Sequence, residues 1–415
     1  MRMNAIATAY QKATEKVPIS TSPEPKVSTT EKMKALAWFG NQDIRLIETP
    51  KPLITEEHDA IVKVTKSTIC GSDLHLYTND IKDMRPKDIV GHECCGIVEQ
   101  VGSDVKNIKV GQRVVVSFSI SCGTCSYCER GETSSCDRTN PSQLMEKMYG
   151  HRTAGIFGYS HLLGGYPGCQ AEYVRVPFAD MDLLPIPDDV PDDKALFLSD
   201  VVCTSFHSTE LCKVSKGDTV GIWGAGPIGL LAARWCQIKG AKEIIVIDNV
   251  EDRLQIALDL GVKVINYSND KVIDLIHKMV PGGLDCAIDA AGFRYTKSLT
   301  HKLERALNLE TDSGDVISEC ITTLRKFGRL SIIADYTGYM NHFPIGAFME
   351  KHLSCAGGQC PVQSVWKHCL EYIQSGEMDP MFIVTHRGTL ENGPDLYSKF
   401  HLKEDGVVKV ILSAE

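Results

Sequence analysis

The sequence predicts a mixed fold, α/β plus β: a doubly wound parallel sheet with helices on its faces, beside a smaller barrel of short strands. Three observations carry this. Thr219 to Asp248, TVGIWGAGPIGLLAARWCQIKGAKEIIVID, reads as strand, glycine turn, helix and strand. The same alternation of apolar β-branched runs and helical text continues through LDCAIDAAG to GRLSIIA. From Met33 the text instead holds short apolar runs broken by Gly, Pro and Asp (KALAWF, IRLIE, AIVKVTKSTI, GIVEQVG, GQRVVVSFSI), the spacing of a small barrel. A chain of 415 residues has room for two domains.

Residues 1–31 are rich in Ser, Thr, Pro and Lys without periodicity and read as a disordered extension. Residues 32–201 make the strand-rich first domain. Within it lies SCGTCSYCERGETSSC, with Cys122, Cys125, Cys128 and Cys136 spaced C-x2-C-x2-C-x7-C. Four thiolates on a short loop close a tetrahedral zinc shell with Zn–S bonds of about 2.3 Å, and a site saturated by four cysteines is structural.

Residues 202–356 form the doubly wound domain. In Gly224-Ala225-Gly226-Pro227-Ile228-Gly229 the glycines supply a tight turn, room for backbone beside a pyrophosphate, and close helix–strand packing. The helix that follows offers free N–H groups to phosphates. Asp248 ends the second strand, where a carboxylate accepts ribose hydroxyls and repels a 2′-phosphate, so NAD is favoured over NADP. Arg253 is counted with the same cofactor-binding set. THKLERALNL, with Leu303 and Leu307 on one helical face, reads as an insertion. Residues 357–415 return to strand and turn text and rejoin the first domain.

Charge and composition narrow the function. A net charge of −9 with no basic block argues against a nucleic-acid surface. No apolar run is long enough to cross a bilayer, and no apolar leader is read at the start. Sixteen cysteines in so large a chain, several of them alone in apolar runs, fit a reducing compartment, with the cytoplasm as the expected location.

Three other places carry metal donors: Cys70 in TICGSDLHLY, His92 and Glu93 in VGHECCG, and Asp200 in LSDVVCTSFH. Each has a plain alternative, as buried thiol, satisfied core histidine and helix N-cap. Together they supply the sulfur, nitrogen and oxygen of a catalytic zinc with one open position.

Cys70-Gly-Ser-Asp-Leu-His75, Gly91-His92-Glu93, the four-cysteine loop and the glycine turn fall in the order seen in zinc-dependent medium-chain alcohol dehydrogenases, which the chain resembles from about residue 32 to 412. AGIFGYSHLLGGYPGCQAEYVRVPFAD and LFLSD look most like the formaldehyde-dehydrogenase-like subgroup. The resemblance implies a GroES-like barrel, built from both chain ends, and a Rossmann domain between. It implies two zincs per chain, the catalytic one on Cys70, His92 and Asp200, since that subgroup carries aspartate where others have cysteine. It makes Glu93 a transient or outer ligand, Ser72 the hydroxyl that takes the alcohol proton, and His75 the group that passes it on through the cofactor ribose. The activity implied is hydride transfer between an alcohol or aldehyde and NAD, in a homodimer or homotetramer. Phe157, Tyr159 and His161 either line the substrate channel or pack. The insertion around 294–313 resembles one in glutathione-independent formaldehyde dehydrogenases. Two rivals follow: a cofactor-retaining aldehyde dismutase, and a non-catalytic binding or structural protein reusing the fold.

Overall fold

The computed structural model describes residues 18–292 and 311–414. The helix read at 300–309 lies outside them, as does most of the insertion read at 294–313.

Six strands form the parallel sheet. Numbered in chain order they are Thr219–Trp223, Glu243–Asp248, Lys263–Asn266, Leu284–Asp289, Leu324–Ile332 and Ser354–Gly357, and they lie side by side as 3-2-1-4-5-6. This order places the first strand at the centre, with the sheet running both ways from it. The carboxyl end of that strand is then the switch point where such sheets bind ligands. The central strand TVGIW is buried throughout, as a strand covered by helices on both faces must be.

The barrel is organised on Ala60–Ile69, another nearly buried run. It pairs antiparallel with Cys94–Val101, Tyr173–Val176 and the C-terminal strand Lys409–Ser413. Val410 faces Ile69 in that register, so the last strand of the chain runs beside the residue preceding Cys70. Arg113–Val116 and Leu183–Pro185 extend the sheet on one side, and Val384–Thr389 on the other.

Two readings are corrected. Residues 18–31, placed in a disordered extension, hold a buried Thr21, and Val27–Gly40 is a strand paired with Asp43–Pro52. Two of residues 18–31 are held by a partner far along the chain. Arg175 donates to Ser22 O (2.6 Å) and Thr21 Oγ1 (2.9 Å). The text after Gly357, read as strand and turn, contains the helices Val362–Ser375 and Gly393–Leu402. In the first, buried Val362, Trp366, Cys369, Leu370 and Ile373 recur at helical spacing, a signal present in the sequence.

One apolar core joins the two domains. It holds Leu196, Val202 and Phe206 of the connecting segment, Leu230 and Trp235 behind the glycine turn, and Trp366 and Ile373 of the later helix. Among the described residues no helix is long and apolar enough to cross a membrane.

Candidate active site

Strand ends set the donors in place. Cys70 directly follows Ala60–Ile69, and its N–H donates to Asp73 Oδ2 (2.8 Å), turning the chain into the short helix Asp73–Tyr77. His92 and Glu93 directly precede Cys94–Val101. Asp200 begins the helix Val201–Leu211 with φ −152° and ψ −80°, but its side chain caps nothing. Its carboxylate instead takes the Thr204 hydroxyl (2.5 Å) and approaches His92 Nε2 (3.5 Å). Asp200 thus occupies the N-cap position of that helix without a side-chain capping bond, and its carboxylate faces the cluster.

Cys70, His92, Glu93 and Asp200 are all buried, and one donor atom of each lies within 4.8 Å of the others. The two carboxylates among these donors repel each other unless positive charge lies beside them. The imidazole shows the strength of that field. Burial disfavours its charged form, yet Asp73, Asp200 and Cys70 outweigh burial and hold its pKa well above the ordinary value. Burial likewise pushes the Asp200 carboxyl up, but His92, Thr204 and Lys409 bring it below the usual range. Burial pushes the Cys70 thiol up, against the opposing charge of Lys409. A donor set that draws a proton onto its histidine fits a metal dication. His92 Nδ1 faces Asp73 Oδ1 at 3.2 Å, though off the line of a good hydrogen bond, which leaves Nε2 toward the cluster.

The cluster opens into a cavity of about 410 Å³ between the two domains. The barrel lines it with Ser72, His75, Phe118 and Tyr159, and the parallel sheet lines it with Gly224, Gly226, Pro227, Ile228, Asp248 and Arg253. Ser72 Oγ is 3.3 Å from His92 Nε2. His75 Nε2 is 3.8 Å from Asp335 Oδ2, an acid on the opposite domain that no sequence motif singled out. Of the three aromatic candidates only Tyr159 lines the cavity. Phe157 packs against Tyr166, and His161 pairs with Asp88.

The glycine turn is built as its spacing requires. Gly224 has φ +102°, and a Cβ on Gly229 would sit 1.8 Å from Gly224 O, so both positions demand glycine. Asp248 is almost fully buried and accepts N–H groups from Ala225 (2.6 Å), Asn249 (2.6 Å) and Val250 (3.0 Å). It clamps the turn to the second strand while still lining the cavity. Arg253 Nε is buried without a hydrogen-bond partner among the described residues, which suits it to a ligand's anionic group.

Cys122, Cys125, Cys128 and Cys136 converge on a loop away from the cavity, none of them in a disulfide. Cys125 Sγ is 3.5 Å from Cys128 Sγ and 3.9 Å from Cys136 Sγ. A tetrahedron of Zn–S bonds of about 2.3 Å has edges of about 3.8 Å, so the sulfurs already stand at zinc spacing. N–H groups of Thr124 and Cys125 point at Cys122 Sγ (3.5 and 3.3 Å), a pattern that stabilises thiolate.

Comparison with known proteins agrees with this geometry. Residues 56–188 match the family described as "Alcohol dehydrogenase GroES-like domain", and residues 227–375 match "Zinc-binding dehydrogenase". A zinc-type alcohol dehydrogenase-like protein of Schizosaccharomyces pombe is 48% identical over 394 residues, 94% of this chain and 93% of its own length. A formaldehyde dismutase of Pseudomonas putida is 31% identical over 398 residues, 88% of this chain and 94% of its own. Among solved structures, the alcohol dehydrogenase TADH from Thermus sp. ATN1 superposes with a TM-score of 0.78 at 30% identity, covering 92% of this chain and 99% of that one. With both halves of the chain matched in sequence and the whole matched in fold, the protein belongs to the zinc-dependent medium-chain alcohol dehydrogenase family.

Proposed function

We propose that the chain moves a hydride between an alcohol, or its aldehyde, and NAD, with a catalytic zinc held by Cys70, His92 and Asp200 and a structural zinc held by the four-cysteine loop. The observation that carries this is one cavity lined from one side by the donor cluster and from the other by the glycine turn. When bound, zinc supplies Lewis acidity toward an alcohol or carbonyl oxygen, and NAD supplies the hydride acceptor.

The chain's own groups do the rest. Ser72 Oγ, beside the donor cluster, takes the proton that the alcohol releases. His75 receives it at the cavity wall, and Asp335, 3.8 Å away, offsets the charge that the imidazole gains there. Phe118, Ile156 and Tyr159 form the apolar side of the cavity and keep water from the reacting carbon. Gly226 leaves the backbone open for a pyrophosphate at the start of the helix Pro227–Ile238, and Asp248, at the cavity wall, would accept the ribose hydroxyls.

Metal analysis of purified protein should find two zincs per chain, with reduced NAD appearing on addition of members of an alcohol panel. Cys70→Ala should lose one zinc and the activity together. A variant that keeps both metals overturns the ligand assignment. The similarity to a formaldehyde dismutase supports a second reading, in which NAD is retained and one aldehyde is oxidised as another is reduced. That reading requires NAD to survive purification and turnover to proceed without added cofactor.

A further inference from the structure

We propose that Asp335 sets the substrate class: its carboxylate makes the site prefer alcohols that carry a second hydrogen-bond donor, a hydroxyl or an ammonium, over plain alkyl alcohols and over alcohols that carry a carboxylate. The inference rests on the reading of the cavity as the site of hydride transfer from an alcohol.

Beside the donor cluster the cavity wall is largely apolar, with Phe118, Ile156, Tyr159 and Leu163. Asp335 enters the same cavity from the parallel sheet, three residues beyond the end of the strand Leu324–Ile332. Three acids line the cavity, Asp200, Asp248 and Asp335, and the first two are engaged. Asp200 stands among the metal donors, and Asp248 takes backbone N–H groups of the glycine turn and its own strand end. Asp335 differs. Among the described residues nothing donates a hydrogen bond to its carboxylate, and its one ion-pair partner is His75, at 3.8 Å. The lysine and arginine of the cavity stand elsewhere, since Lys403 feels the charges of Arg253 and Asp248.

The backbone on both sides of Asp335 is tied down. Ile333 and Ala334 donate their N–H groups to Asp289 O (3.1 Å each), and the Tyr336 hydroxyl donates to Asp289 Oδ2 (2.6 Å). Beyond it, Thr337 and Gly338 N–H donate to Asp312 Oδ2 (3.0 and 2.6 Å). A residue held this way presents its charge at a fixed place on the wall. Tyr159 links that place to the chemistry. Its ring stands edge-on to His92, with centroids 6.1 Å apart. Burial holds its hydroxyl pKa well above the ordinary value, and Asp335 adds to this ahead of Asp73, Cys70 and Asp200. The phenol thus lies in the fields of Asp335 and of the donor cluster together. A hydrocarbon chain docked here strips water from Asp335 and returns no donor, which is costly for a carboxylate. A second hydroxyl or an ammonium on the substrate replaces that water. A substrate carboxylate meets a like charge instead.

The test uses the full-length, zinc-loaded enzyme with NAD and a matched panel: 1-propanol, 1,2-propanediol, 1,3-propanediol, 3-amino-1-propanol and 3-hydroxypropionate. In the wild type, kcat/KM for a diol or for the amino alcohol should exceed that for 1-propanol by on the order of tenfold or more, with 3-hydroxypropionate lowest. Whether the diols or the amino alcohol lead tells a hydroxyl from an ammonium as the donor. Asp335→Leu should bring the ratio of donor-bearing to plain alcohol down to about one. Any effect of that change through His75 falls on every substrate alike and cancels in the ratio. Asp335→Asn, which keeps an acceptor without the charge, should admit 3-hydroxypropionate while still favouring the diols over 1-propanol. A folded Asp335→Leu with the wild-type ratio overturns the proposal. So does a wild type that uses 1-propanol as well as every donor-bearing alcohol, a measurement that does not depend on how any variant folds. Failure of the alcohol-oxidation reading is seen separately, as no reduced NAD from any member of the panel.

Discussion

Asp248 shows how one side chain serves two tasks. Its carboxylate receives three backbone N–H groups, two of them from the residues just after it and one from Ala225 inside the glycine turn. The notion of a ribose-reading acid came from its place at the end of the second strand. The clamp on the turn came only from the structure. Asp248→Ala removes both at once. It should raise the use of NADP relative to NAD, measured as the ratio of kcat/KM values. It should also lower stability without cofactor by about 1–3 kcal/mol, the cost of leaving buried N–H groups without acceptors. A fall in Tm with an unchanged cofactor ratio would leave Asp248 as a clamp alone. The other site residues divide in the same manner. Cys70, Ser72 and His75 lie within six residues of one another, and the cysteine loop within fifteen, so their patterns are local and readable. Lys409 meets Glu93 across 316 residues and Asp335 meets His75 across the cleft, and no local pattern encodes such pairs.

At the level of elements, the sequence reading departs most from the structure at residues 18–31. Its composition is that of an unstructured tail, and its order comes from Arg175, whose side chain is only 4% exposed. That guanidinium also binds Asp59 through Nε (2.7 Å) and Nη2 (3.1 Å), so one arginine ties residues 21–22 to two strands of the barrel. Burial pushes the Asp59 carboxyl up, yet hydrogen bonds from His58 and Arg175 prevail and hold it below its ordinary 3.8. A depressed carboxyl pKa stabilises the fold above the unfolded value and loses that effect as pH falls through the folded one. Arg175→Met should therefore cost about 3–5 kcal/mol near neutral pH, because a fully buried carboxylate loses its guanidinium and keeps only His58 and two backbone N–H groups. The difference from wild type should begin to narrow in denaturant titrations below about pH 4 and close only as pH falls through the depressed folded value of Asp59. A gap that stays constant with pH would mean that Arg175 acts by packing. The parallel sheet, in contrast, was plain in the sequence. Its strands are continuous apolar runs ended by turns, and burial on both faces writes that pattern directly into the residues.

Each of the two folds keeps an apolar cluster of its own, and a third cluster runs between them. The helix Val201–Leu211, which leaves the donor cluster at Asp200, packs on Pro227–Ile238 behind the glycine turn and on Val362–Ser375 of the returning chain. Trp235 sits where these three helices meet. Its ring centroid is 5.1 Å from those of both Phe206 and Tyr372, and its indole N–H donates to Val202 O (3.1 Å). The position of Asp200 relative to the cofactor turn thus depends on the same contacts that hold the domains together. Thermal unfolding should accordingly be one transition for both domains rather than two. Trp235→Ala should cost about 3–5 kcal/mol, the range for truncating a fully buried large aromatic. The loss should reach parts far from the substitution. In calorimetry the single peak should move down in temperature, and exposure of the four cysteines to a thiol reagent should rise at that same temperature. A second peak, with the cysteine loop protected at the wild-type temperature, would show that the barrel stands on its own and that the shared core does not couple the domains.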